Sequence, residues 1–110
     1  MAAKLPVLTT GDNINWSVTL YKDKQTFTIP GTATVKARII SADHQTAYTD
    51  AITQTEIPAA DWANSLVAVL MTDVVTSAIT HRGRAVLEVE VDDNGKSTWF
   101  GDIQIKTGTI

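Results

Sequence analysis

Residues 84–105, RAVLEVEVDDNGKSTWFGDIQI, contain two runs of alternating apolar and polar residues around a polar turn. Alternation with a period of two is typical of a β-strand with one buried face. The turn, Asp92-Asp93-Asn94-Gly95, contains an Asn-Gly pair, which tolerates the positive φ values of tight hairpin turns. The segment therefore predicts a β-hairpin. The inward-facing residues are predicted to be Ala85, Leu87, Val89, Val91, Trp99, Ile103 and Ile105, with Val86, Glu88 and Glu90 facing outward. Gly101 interrupts the second run and predicts a bulge.

The same alternation recurs upstream, and the composition agrees with it. The chain contains 17 Thr, 10 Val and 10 Ile, whose branched Cβ atoms suit a pleated strand better than a helix. Further strands are predicted at residues 14–21, 27–29, 33–40, 47–53 and 65–71. Pro58 predicts a short helical turn leading to Trp62. Residues 72–80 are predicted to be irregular, with a single helical turn, or a loop followed by a strand, over 73–79 as the alternatives.

These strands, separated by turns about every ten residues, predict an all-β fold. We expect an immunoglobulin-like or jelly-roll-like β-sandwich of seven to eight short strands, forming a single domain over residues 1–110. Residues 1–13 are expected to form an N-terminal arm, because Pro6 disfavours a central strand and Gly11-Asp12-Asn13 is a turn cluster.

Composition excludes several classes of function. The 110 residues carry a net charge of −3, which gives no basic surface for nucleic acid. The chain has no cysteine, so disulfides and thiolate metal sites are excluded. The longest apolar run, residues 66–71, is far shorter than the roughly 20 residues of a transmembrane helix, and we expect no secretory signal.

No catalytic, cofactor or metal site is predicted. Residues 92–95 resemble the start of a calcium loop, but the twelfth position is Ile103 where a bidentate Glu is needed. His44 and His81 lie in polar surroundings and are expected to be solvated loop residues. Glu88 and Glu90 share a strand face, as a glycosidase pair could, but we expect them to form cross-strand ion pairs with Lys36 and Arg38.

The tryptophans provide the remaining candidate site. Trp16 and Trp99 lie at inward positions and are expected in the core. Trp62 lies outside the clear strands. It is expected to plug one end of the sandwich, with two alternatives left open: an anchor for a partner protein, or an aromatic platform for a sugar.

Two blocks of the chain, GDNINWSVTLYKDKQTFTIPGTATVKARI and GRAVLEVEVDDNGKSTWFGDIQI, resemble known proteins in their pattern of turns and strands. They resemble the immunoglobulin-like β-sandwich domains of tailed-bacteriophage structural proteins, such as the N-terminal domain of upper baseplate proteins. The resemblance covers about half of the chain. Since baseplate proteins continue into further domains and this chain has 110 residues, its size is more similar to that of capsid decoration, or cement, proteins.

The resemblance implies a virion protein that is assembled in the bacterial host cytoplasm and has no catalytic residues. Its implied partner is the major capsid protein, whose neighbouring subunits it would staple together, with self-association on the particle. The first alternative is a baseplate or tail-fibre attachment module. The second, from another class of protein, is a carbohydrate-binding module, and the third is a small hydrolase. No nucleic acid or membrane partner is expected. The expected partner-binding residues are Leu5, Pro6, Val7, Leu8 and Trp62, because an apolar arm with a proline is expected to pack on a neighbouring subunit.

Overall fold

A computed structural model of the chain describes residues 6–56 and 60–106, in which seven strands, one 3₁₀ turn and one short helix occur. The elements are β1 (Val7–Thr9), β2 (Ile14–Thr19), β3 (Thr34–Ser41), β4 (Ile52–Gln54), the 3₁₀ turn (Trp62–Asn64), β5 (Leu66–Met71), α1 (Asp73–Ser77), β6 (Gly83–Asp92) and β7 (Lys96–Lys106). The predicted all-β, sandwich-like class is confirmed.

The strands form two sheets. The larger sheet has the order β1-β7-β6-β3-β4, and the smaller sheet consists of β2 and β5. Neighbouring strands are antiparallel except for β1, which runs parallel to β7. Because β1 lies beside β7, the first and last strands of the described chain are neighbours at one edge of the larger sheet.

The hairpin predicted from residues 84–105 is the centre of the larger sheet. β6 and β7 pair continuously from Gly83 opposite Ile105 to Asp92 opposite Lys96. Asn94 has φ 57° and Gly95 has φ 153°, as the turn requires. The predicted bulge at Gly101 is wrong, because Gly101 pairs with Leu87 without a change of register.

The core lies between the two sheets and follows the predicted alternation. Its buried residues from the larger sheet are Leu8, Val35, Ala37, Ile39, Ala85, Leu87, Val89, Val91, Ile103 and Ile105. Those from β2 and β5 are Ile14, Val67, Val69 and Met71. Alternate residues of each strand therefore supply the apolar contact that holds the sheets together.

Val86 departs from the predicted alternation, because it lies on the outer face of the larger sheet and is nevertheless buried. It pairs with Ile40, which is also buried. The loop after β3 returns over this face, since His44 stacks on Phe100 of β7 at 4.4 Å between ring centroids. The loop must cross β6 to reach β7, and it therefore covers Val86 and Ile40 on the outer face of the sheet.

Two other local predictions differ from the structure. Residues 27–29 were predicted to be a strand but form no ladder, because Ile29 donates its N–H to the Trp62 carbonyl in the 3₁₀ turn. Residues 73–77 are helical rather than irregular. The alternative of a single helical turn was therefore the better interpretation of this segment.

The expected N-terminal arm is corrected over residues 7–9. These residues form β1, which pairs with residues 104–106 of β7, and Leu8 is 1% exposed in the core. A parallel partner at the edge of the sheet tolerates Pro6 just before the strand, since Pro6 contributes only its carbonyl, which accepts the Gln104 N–H. The arm is therefore part of the fold from Val7 onward.

Candidate partner-binding cleft

The five expected partner-binding residues do not form one surface. Leu5 lies outside the described residues. Pro6 and Val7 are exposed, whereas Leu8 and Trp62 are 1% and 4% exposed. Leu8 and Trp62 are therefore core residues of this chain, and neither side chain can reach a partner while the fold is intact.

Trp62 packs in the core cluster, as the end-plug interpretation predicted. Its main-chain N–H donates to a carboxylate oxygen of Glu56, and its indole nitrogen has no hydrogen-bond partner among the described residues. A buried ring cannot offer its face to a sugar. The sugar-platform and partner-anchor alternatives for Trp62 are both corrected by this burial.

The candidate catalytic groups have structural contacts of their own. His81 bonds through Nε2 to the Arg84 carbonyl and stacks on Tyr48 at 4.7 Å, while His44 stacks on Phe100. Arg38 binds both carboxylate oxygens of Glu88, at 2.9 and 3.2 Å. This bidentate bond raises the pKa of the Arg38 guanidinium. Ion pairing across β3 and β6 is therefore confirmed for Glu88.

The described residues contain no group of three or more His, Asp or Glu side chains placed to hold a metal ion. In the same part of the chain, no helix is long and apolar enough to cross a bilayer.

One side of the sandwich is open and is bordered by an edge of β7 and an edge of β2. The edge of β7 is defined by the direction of its main-chain groups. Gln104 directs its N–H toward β1, so by alternation Thr98, Phe100 and Asp102 direct their main-chain groups the same way. Within the described residues, β1 reaches only positions 104–106 of β7. The main-chain groups of Thr98, Phe100 and Asp102 therefore face a position that no described strand occupies.

The edge of β2 that faces away from β5 is the second border of the open side. Leu20 donates its N–H to Ser65 next to β5, so even-numbered residues of β2 face β5. Asn15, Ser17 and Thr19 consequently direct their main-chain groups away from β5. In the described part of the chain β2 has β5 as its strand neighbour and no second one.

A cleft lies between these two edges. Its wider part, about 480 Å³, is lined by Pro6, Asn15, Trp16, Ser17, Val18, Thr19, Leu87, Gly101, Asp102 and Ile103. A second part, about 320 Å³, continues along Val18, Thr19, Leu87 and Gly101 toward Trp99. Trp99 ends the cleft by donating its indole N–H to the Tyr21 carbonyl at 2.9 Å. Pro6 and β1 bound the other end.

Gly101 determines the depth of the cleft at its middle. It occupies an inward-facing position opposite Leu87, where a larger side chain would enter the cleft. A Cβ atom at this position would meet nothing within 4 Å. The cleft is therefore open at Gly101 because this residue has no side chain, although the backbone there would also accommodate a larger residue.

The opposite side of the sandwich is closed by Gln54 of β4. Its buried side-chain amide accepts the Leu70 N–H at 2.8 Å and donates to the Leu70 carbonyl at 3.1 Å. These two bonds to β5 imitate the pairing of a neighbouring strand. The two sides of the sandwich therefore differ: one is bridged by a side-chain amide, and on the other no strand of the described chain pairs with the outer edges of β2 and of residues 98–102 of β7.

The fold and the cleft define an all-β, sandwich-like domain in which one edge of β2 and part of one edge of β7 have no strand partner within residues 6–56 and 60–106. Comparison of the chain with protein-family models, with curated proteins and with solved structures found no match.

Sequence reasoning missed the cleft, and one signal for it was present. Gly101 and Pro6 both interrupt strands, and from the sequence they predict a bulge and an arm, whereas in the structure both line the cleft. Pro6 removes the N–H that a longer β1 would need, and Gly101 removes a side chain. Their meeting across one cleft depends on the parallel pairing of β1 with β7, which no local pattern reveals.

Proposed function

We propose that this chain is a non-catalytic structural protein of a tailed-phage particle. It binds the outside of the capsid and joins neighbouring major capsid subunits, and it is assembled into the virion in the host cytoplasm. The resemblance of its two strand blocks to phage β-sandwich domains motivates this proposal. The observation that supports it most is the cleft between two edges, of β2 and of β7, that no described strand covers.

Strand addition is the mode of binding that this cleft favours. An extended segment of a capsid subunit would pair with the main chain at Thr98, Phe100 and Asp102, which supplies affinity independent of side-chain identity. Alternate side chains of the segment would enter the apolar cleft over Gly101, which supplies selectivity for small or flexible side chains. Many copies on one shell would add the avidity that a short segment lacks.

The proposal is tested by adding the purified chain to particles assembled without it and locating it by electron microscopy. We expect density on the shell. Density at the tail tip would favour the alternative, a baseplate or tail-fibre attachment module, and absence from both places would overturn the assignment to a phage particle.

A pair of glycine variants tests whether the cleft makes the contact. Gly101→Trp fills the cleft, whereas Gly31→Trp places the same ring in a loop where a Cβ also meets nothing within 4 Å. Neither glycine has a positive φ, so both variants should fold. We expect Gly101→Trp to lose particle binding and Gly31→Trp to keep it. Equal binding by both variants would place the contact elsewhere.

A further inference from the structure

We propose that Asn94 is a site of spontaneous covalent modification, at which the side-chain amide converts to an acid while the chain is folded. The attacking atom is the main-chain nitrogen of Gly95, and the reaction needs no enzyme. The fold selects Asn94 among the four asparagines of the chain, which are Asn13, Asn15, Asn64 and Asn94. The inference does not rest on the proposed function, because it concerns the turn between β6 and β7 and not the cleft.

The reaction is an intramolecular substitution at the Asn94 side chain. The Gly95 nitrogen loses its proton to a solvent base and bonds to Cγ of Asn94, which closes a succinimide ring. The bond from Cγ to Nδ2 breaks, and Nδ2 takes up one solvent proton and leaves as ammonia. Water then opens the ring at one of its two carbonyl carbons. Opening at Cγ gives aspartate, and opening at the main-chain carbonyl gives isoaspartate.

The turn leaves both reacting groups accessible. Asn94 and Gly95 are exposed, and within residues 6–56 and 60–106 neither the Asn94 side chain nor the Gly95 N–H has a hydrogen-bond partner. The turn is held through the Gly95 carbonyl, which accepts the Asp93 N–H, so the attacking nitrogen is not needed to close it. Gly95 has no Cβ to shield its nitrogen, and an added Cβ would meet nothing within 4 Å.

Asn64 is the matched contrast, because it also precedes a small residue, Ser65, and yet both of its reacting groups are held. Its Nδ2 donates to a carboxylate oxygen of Asp61 at 2.8 Å, and the Ser65 N–H donates to the Trp62 carbonyl at 3.1 Å. Ser65 is also fully buried. Attack at Asn64 therefore requires that these hydrogen bonds break and that the Ser65 nitrogen becomes exposed first.

The other two asparagines precede large strand residues. Asn13 accepts the Asp73 N–H through its Oδ1 at 2.8 Å and is followed by Ile14, which is buried. Asn15 lies within β2, whose pairing with β5 holds the main chain extended, and is followed by Trp16. A β-branched or aromatic neighbour crowds the approach of the following nitrogen to Cγ. Asn94 is therefore the asparagine that the structure leaves most open to attack.

The isoaspartyl product alters the central hairpin. It adds a methylene group to the main chain at a turn in which residues 93–95 alone join β6 to β7, since Asp92 pairs with Lys96. The lengthened chain no longer fits the conformation in which Asn94 has φ 57° and Gly95 has φ 153°. The aspartyl product keeps the main-chain length and adds only a negative charge. We therefore expect isoaspartate to weaken the hairpin more than aspartate does.

Peptide mapping of the folded protein during storage in mildly alkaline buffer tests the site. Trypsin releases residues 85–96 with Asn94 and residues 39–82 with Asn64. The first peptide should gain the mass difference between an amide and an acid about tenfold or more faster than the second, because the second reaction must first break two hydrogen bonds. Equal rates for the two peptides, or no conversion of Asn94, would overturn the proposal.

The same measurement in urea separates the effect of the fold from that of the local sequence. Unfolding releases the hydrogen bonds at Asn64 and Ser65, so conversion of Asn64 should become faster relative to that of Asn94. A ratio of the two rates that unfolding leaves unchanged would contradict selection of the site by the fold.

The variant Asn94→Asp carries the acid without the added methylene group and controls for charge. Stored wild-type protein should contain a fraction that isoaspartyl methyltransferase labels, and this fraction should unfold at a lower urea concentration than Asn94→Asp. Absence of labelling after conversion of Asn94 would contradict ring opening at the main-chain carbonyl. A labelled fraction that is as stable as Asn94→Asp would contradict the expected effect on the hairpin.

Discussion

Gly95 controls the central hairpin through its backbone conformation. Its φ of 153° is one that residues with a side chain rarely adopt, and Asp93 donates its N–H to the Gly95 carbonyl to close the turn. A Cβ at Gly95 would meet no neighbouring atom, so the restriction is conformational rather than steric crowding by other residues.

Gly95→Val should therefore lower the free energy of unfolding by more than about 1 kcal/mol, because a β-branched residue is strained at positive φ. Gly31→Val, in a loop with negative φ and similar open space, is the matched control and should cost less. Urea denaturation of both variants measures the difference. A calcium-dependent rise in melting temperature of several degrees would contradict a purely structural turn.

Asp43 organises the loop that crosses the outer face of the larger sheet. A hydrogen bond from the Ser41 hydroxyl, followed by one from the Gln45 main-chain N–H, holds the pKa of Asp43 below its usual range. Because the pKa is lower in the folded state, the charged form stabilises the loop above the ordinary pKa of Asp. This contribution is lost as the pH falls through the folded-state pKa.

An NMR titration of the Asp43 carboxyl should show a midpoint below that of an unperturbed Asp, and Ser41→Ala should move the midpoint upward. The His44–Phe100 ring contact lies in the same loop and should weaken over the same acidic range. A midpoint that Ser41→Ala leaves unchanged would contradict the assigned cause.

At the scale of elements, β1 shows how a three-residue strand can contribute to the core. It is held by parallel pairing to β7, continued by the bond from Thr10 N–H to the Lys106 carbonyl. Pro6 ends the ladder because it has no N–H to donate. The strand therefore begins at Val7 and contributes Leu8 to the space between the sheets.

Leu8→Ala should destabilise the fold by about 2–5 kcal/mol, as expected for a fully buried leucine. Val7→Ala, at a side chain that is 37% exposed, should cost much less. Thermal or urea unfolding of the two variants provides the comparison. Similar small losses for both would mean that residues 7–9 form a detachable arm after all.

The sequence leaves the conformation of α1 undecided, because the contacts that hold it helical come from residues far away in the chain. Thr76 is fully buried, and its hydroxyl donates to the Asp12 carbonyl and accepts the Gly11 N–H. The Asp73 N–H is bound by the Asn13 side chain. Residues sixty or more positions away therefore select the helical conformation, which local propensity alone leaves undecided.

At the scale of the whole molecule, the sandwich is closed on one side and open on the other. Gln54 bridges β4 and β5 with two hydrogen bonds to Leu70, whereas the edges of β2 and β7 border the cleft. One side therefore joins the sheets through a side-chain amide, whereas on the other side no described strand pairs with the outer edges of β2 and of residues 98–102 of β7.

Gln54→Ala should destabilise the fold by about 1–3 kcal/mol and accelerate exchange of the Leu70 amide, because the Leu70 main-chain groups lose their partner. Thr53→Ala, at the exposed neighbouring position, should do neither. Unchanged exchange at Leu70 in Gln54→Ala would show that water replaces the amide without cost.

The sequence by itself determined the hairpin, the alternating core positions and the all-β class, because these depend on period-two burial and on turn residues that act locally. The resemblance adds a proposed phage role, which the particle experiments test. Only the tertiary structure decided that Leu8 and Trp62 are core residues, that α1 is helical and that the edges of β2 and β7 border a cleft. These features join residues far apart in the chain, and the pairing of the first strand with the last leaves no local periodic signal.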